Sequence, residues 1–69
     1  MQLESNEKAC WFIAADTIYL AGPFYTHTQA KHYLNKCTDK SGYTTIRIEG
    51  ETFALNREDV GIVRDIYWL

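Results

Sequence analysis

Ile18-Tyr19-Leu20-Ala21-Gly22-Pro23-Phe24-Tyr25-Thr26-His27-Thr28-Gln29-Ala30 is the stretch that decides the fold. It reads as a strand that stops at Gly22-Pro23 and turns directly into a capped helix. Pro23 has no N–H to give a sheet ladder and biases Gly22 away from helical geometry, so the strand is expected to end there. Thr26 is a good N-cap, and Gln29, three residues on, completes a capping box. Tyr25, just before the cap, is placed to staple onto Ala30. Ala30, Tyr33, Leu34 and Cys37 then recur at helical spacing and form one apolar stripe. Lys36 and Lys40 suit the C-terminal end of the helix dipole, and Ser41-Gly42 is the expected stop.

Upstream, residues 1–8 are polar and read as a flexible N-terminus. Residues 9–15 read as a strand, with Trp11, Ile13 and Ala15 on one face and Cys10, Phe12 and Ala14 on the other. Both faces are apolar, which suits a central position in a sheet. Asp16-Thr17 is a tight connection without the glycine that hairpin turns favour. Downstream, residues 43–49 alternate, with Thr44, Ile46 and Ile48 facing one way. Glu49-Gly50 is a turn signal, and residues 52–55 return as a strand carrying Phe53 and Leu55. The tail has two readings. Asn56 followed by Arg57-Glu58-Asp59 resembles a helix start. Beyond it, Ile62, Val63, Ile66, Tyr67 and Trp68 are β-branched or aromatic. The preferred reading is a helical turn at 56–60 and a strand at 62–68; the alternative is a helix. The expected fold is therefore α+β: a small antiparallel sheet with one helix packed on one face, in the order β-β-α-β-β-β. Residues 9–69 make a single domain. The helix stripe is expected to meet Trp11 or Phe12, Leu20, Ile46 and Ile48.

Sixty-nine residues bury only about 60% of the surface their unfolded chain exposes. A core this small gains from a partner or a second copy. The formal net charge is −2, which argues against a general affinity for nucleic acid or acidic membranes. The charge is uneven: residues 17–48 hold Lys31, Lys36, Lys40 and Arg47 against one acid, Asp39. Two cysteines, Cys10 and Cys37, are too few for a disulfide framework, and residues 1–8 lack the apolar segment of a signal peptide. A cytoplasmic protein with reduced thiols is expected. No apolar run approaches transmembrane length, so no membrane partner is expected.

The span 18–48 resembles the second half of SPOR (sporulation-related repeat) domains. The matching residues are Gly22-Pro23-Phe24 at the strand end, Ala30 and Leu34 in the helix, and Gly42-Tyr43 at the step into the next strand. That resemblance implies a strand-helix-strand unit, and in that family a surface for glycan strands of peptidoglycan. The family's strand-helix-strand first half has no counterpart in residues 1–17. The same strand-Gly-Pro-Phe-helix unit resembles part of small bacterial and phage proteins, and residues 50–60 resemble a hairpin-then-turn of small β modules.

Catalysis needs a nucleophile, a base and a group that orients the base. Cys10, Cys37, His27 and His32 are the raw material, but His32 and Cys37 diverge by about 140° around a helix axis. No glycine-rich cradle offers N–H groups to an oxyanion or phosphate. Cys10, His27, His32 and Cys37 also lack the close Cys-Cys and His-His pairs of zinc sites. No catalytic residue, metal or cofactor is therefore expected. Two binding surfaces remain. Trp11, Tyr19, Ile66, Tyr67 and Trp68 are interface candidates, since rings and large aliphatics anchor protein contacts. His27, Lys31, His32, Lys36 and Lys40 form a basic helix face that, with Tyr25 and Tyr43 beside it, is the alternative surface for nucleic acid. The leading expectation is a non-enzymatic interaction or inhibitor-type protein, with a host protein or a second copy as partner and a homodimer as its simplest assembly. In size and build it is similar to phage and mobile-element accessory proteins of the anti-CRISPR and anti-restriction type.

Overall fold

The computed structural model describes residues 7–68, and side chains for residues 8–66. Its elements run β1 (Glu7–Ala15), β2 (Ile18–Phe24), α1 (His27–Cys37), β3 (Tyr43–Ile48), β4 (Glu51–Asn56), a 3-10 turn (Arg57–Asp59) and β5 (Gly61–Trp68). This is a small α+β fold with one helix, in the expected element order. The tail takes the turn-then-strand reading rather than the helical one. Its β-branched residues prefer the pleated, half-buried position that β1 offers.

The five strands divide between two antiparallel sheets, β2-β1-β5 and the hairpin β3-β4. β1 is central, as a strand apolar on both faces should be. It pairs with β5 in unbroken register from Glu7↔Trp68 to Ala14↔Gly61. Glu7 and Lys8 thus belong to β1 and not to the flexible segment expected at residues 1–8; residues 1–6 lie outside the described residues.

β2 does not stop at Gly22-Pro23, as the sequence led us to expect. It continues to Phe24, which pairs with Trp11. Two register shifts, either side of Ile13, accommodate the extra residues of β2. β2 lies at the sheet edge, where a missing N–H costs no ladder bond. Gly22 has φ +128°, and a β-carbon there would sit 2.7 Å from Phe12 Cδ1 and 3.0 Å from the Trp11 carbonyl oxygen. The glycine is what lets the Phe12 ring lie against the β2 backbone.

The helix starts where the cap predicts. The Gln29 amide donates to Thr26 Oγ1 at 3.1 Å, and the Tyr25 amide donates to Gln29 Oε1 at 3.0 Å. The staple does not form: Tyr25 is 76% exposed, and the Lys8 ammonium lies 5.8 Å from its ring centroid. The helix also ends earlier than Ser41-Gly42. Thr38 leaves helical geometry, forms a bridge to Thr44, and donates through Oγ1 to the Leu34 carbonyl at 2.7 Å. Asp39 then closes the turn by accepting from the amides of Ser41 and Tyr43, both at 3.0 Å. Such side-chain bonds compete with the helix ladder and end it.

Ile13, Leu34, Ile46 and Val60 form the buried core, one residue each from β1, α1, β3 and the segment before β5. Leu20, Ala21, Phe24, Tyr33, Cys37 and Ile48 pack around it. The helix stripe therefore meets Leu20, Ile46 and Ile48 as expected. From β1 the core cluster takes Ile13, and Trp11 and Phe12 are not part of it. Thr44 is fully buried and satisfies its hydroxyl on Thr38 Oγ1 at 2.8 Å.

Candidate functional site

The three-stranded sheet has two unlike faces. Ile13 and its partner Ile62 face the core, and alternation puts Ala9, Trp11, Arg64 and Ile66 on that same side. Lys8, Cys10, Phe12, Ala14, Val63 and Asp65 take the other side. Tyr19, opposite Ala14, joins them. Among the described residues, neither α1 nor the β3-β4 hairpin adds a core residue to this second face.

Rings and one carboxylate organise that open face. Phe12 and Tyr19 stack with centroids 4.6 Å apart. The Tyr19 hydroxyl then reaches across β1 and donates to Asp65 Oδ2 on β5. The other carboxylate oxygen, Oδ1, accepts from the Ile66 amide at 2.7 Å. These bonds hold the Asp65 carboxyl below its ordinary range, the Tyr19 hydroxyl first and the Ile66 amide second. The same bond is the main reason that the Tyr19 phenol is pushed up. Cys10 pairs with Asp65 and is buried. Burial first, and the Asp65 charge second, push its thiol up. A thiol pushed up in this way forms less of the thiolate, the nucleophilic form.

The interface candidates do not share one surface. Tyr19 is on the open face and 46% exposed. Trp11 and Ile66 are half-buried on the core side, where the Trp11 ring meets His27 edge-on at 5.0 Å. Tyr67 and Trp68 occupy register positions opposite Lys8 and Glu7; their side chains lie outside the described residues. Sequence reasoning passed over Val63 and Asp65 as site residues. Val63 is signalled by its β-branching. Asp65 had no signal, because its partner Tyr19 lies 46 residues away.

The five basic candidates are all exposed, but they do not share one helix face. His27, Lys31, His32 and Lys36 belong to α1, whereas Lys40 lies in the turn after it. The ridge expected through Lys40 is therefore cut at Cys37, where the Thr38 and Asp39 bonds end the helix. Near that turn a shallow groove is lined by Ser41, Gly42, Asn56, Arg57 and Glu58. Its cation, Arg57, donates to the Val60 carbonyl at 2.8 Å. Among the described residues, no three His, Cys, Asp or Glu side chains are grouped to hold a metal ion, and no helix is long and apolar enough to cross a membrane.

The chain matches no protein-family model, no curated protein and no solved structure.

Proposed function

We propose that this chain is a non-enzymatic interaction module that binds another protein through the three-stranded sheet. The observation that carries this reading is the open face: the stacked Phe12 and Tyr19 rings lie there with Val63, and Tyr19 keeps 46% of its surface exposed. Its hydroxyl and its carboxylate are already matched, since Tyr19 and Asp65 bond to each other. Burying this face against a partner would leave no unpaired hydroxyl or carboxylate there, the condition that interface cores meet. The small core supports the same reading, because Ile13, Leu34, Ile46 and Thr44 are the largest side chains fully removed from solvent. A domain with so little interior gains stability from an additional contact. We assign the protein to the cytosol, in keeping with two unpaired thiols, Cys10 and Cys37. The nature of the partner, a host protein or a second copy, is an outcome of the test.

The test is affinity capture on the immobilised chain with partner identification by mass spectrometry, alongside light scattering of the free chain. A partner held by the native chain, but bound about tenfold or more weakly by a folded Tyr19→Ser, is the expected result. Retention of that partner by folded Tyr19→Ser, or a monomer that captures nothing, overturns the proposal.

A further inference from the structure

The two edges of the three-stranded sheet differ. On β2, Pro23 lacks a donor and two register shifts break the strand's regularity. Both are devices that keep another strand away. On β5 the backbone runs Gly61–Trp68 without proline and with unbroken register to β1. Among the described residues, no strand lies on its other side. Which groups face outward can be read from one bond. The Ile66 amide donates to the side chain of Asp65, so it points away from β1. By alternation, the backbone groups of Ile62 and Arg64 point outward too.

A second copy is a poor occupant. Antiparallel pairing of β5 with itself about a two-fold axis sets residues of the same face opposite each other. The registers that use most of the strand are centred on Arg64 or Asp65, which sets like charges directly opposite, an unfavourable pairing. Registers centred elsewhere leave part of the strand unpaired.

We propose that the β5 edge docks an extended segment of a different protein, which adds to the sheet as a fourth strand and sets an acidic side chain opposite Arg64. Arg64 is exposed and fixed in register between Ile62 and Ile66. The segment's backbone pairs with the outward groups of Ile62 and Arg64, and its flanking β-branched side chains lie beside those two isoleucines. Main-chain bonds give such a complex its affinity, and side chains give it specificity. The inference rests on the interaction-module reading, and names the edge and the partner's chemistry within it.

The probe is a displayed library of random linear peptides selected on the native chain and on Arg64→Glu. The native chain is expected to enrich β-branched peptides with one acid at a fixed position. Arg64→Glu is expected to bind those peptides about tenfold less tightly and to enrich a lysine or arginine at that position. Arg64→Thr, which adds no charge, is expected to lose the acid preference and keep the β-branched one. Amide exchange of Ile62 and Arg64 is expected to slow when peptide binds. A consensus indifferent to the charge at residue 64, unprotected Ile62 and Arg64 amides in the complex, or a free chain that dimerises with those amides protected, each overturns the edge assignment. A captured protein that is lost with Tyr19→Ser but kept with Arg64→Glu overturns the edge alone and leaves the open face standing. A captured protein indifferent to both substitutions overturns the two readings together.

Discussion

Replacing Gly22 by alanine tests the account of the open face most directly. Two costs add. The φ of +128° is a region that side chains rarely adopt, and holding alanine there costs about 1–3 kcal/mol. The new β-carbon would meet Phe12 Cδ1 at 2.7 Å, so the ring must leave its place. That forfeits the stack with Tyr19, a pair of a kind worth about 0.5–1.5 kcal/mol. The expected loss is about 1.5–4.5 kcal/mol. A chain of 69 residues holds a total of about 3–10 kcal/mol, so Gly22→Ala removes a large share of it. Urea unfolding followed by circular dichroism measures the loss, and a melting point lowered by about 6–36 °C accompanies it. Phe12→Ala removes the obstructing ring. In a double-mutant cycle the two substitutions together should cost about 1 kcal/mol less than their sum. If Gly22→Ala stays within about 0.5 kcal/mol of the native chain, or the cycle shows no coupling, the proposed contact between ring and backbone is wrong.

Three further outcomes are expected. Glu49 sits at φ 51° ahead of Gly50 at φ 85° in the β3-β4 turn, so Glu49→Asn, which suits two positive-φ positions, should stabilise the domain by about 0.5–1 kcal/mol in thermal melts. Asp65 and Asp39 are held below the ordinary carboxyl range, Asp65 first by the Tyr19 hydroxyl and Asp39 first by the Ser41 hydroxyl. A carboxyl more acidic folded than unfolded contributes stability that is complete above its unfolded pKa and lost as pH falls through its folded value. Stability should therefore hold at neutral pH and decline below about pH 4, and Asp65→Asn should flatten that decline in a pH series of urea titrations. Iodoacetamide on the native chain should label Cys37, which is half-buried, well before Cys10, which is 3% exposed; equal labelling by mass spectrometry would contradict the covered position of Cys10.

Local physics was the legible part of this sequence. Thr26 and Gln29 announced the helix start because a cap is made by residues three apart. The alternation of Thr44, Ile46 and Ile48 announced β3 because period two is a local signal. Glu49-Gly50 announced its own turn. What escaped depended on partners far along the chain. The continuation of β2 through Gly22-Pro23 is stabilised by pairing with Trp11, and at the sheet edge the missing Pro23 N–H costs no ladder bond. The early helix end comes from Thr38 meeting Thr44 across the turn. The division into two sheets follows from β5 returning to β1, so that β3 and β4 pair only with each other. Among the site residues, Tyr19 and Phe12 could be read as large apolar groups on a strand, but their stacking, and the role of Asp65, appear only once β2 and β5 flank β1.

The pairing of β1 with β5 joins positions 55 residues apart, as Cys10 and Asp65 show. A ribosome making this polypeptide releases β1 long before its second neighbour exists. Until β5 emerges, the nascent chain carries a half-satisfied apolar strand, open to wrong associations. The three-stranded sheet therefore closes only once β5 is available, and this long-range pairing should slow folding. Cells that produce it in quantity should show aggregation that depends on synthesis rate more than on the stability of the finished fold.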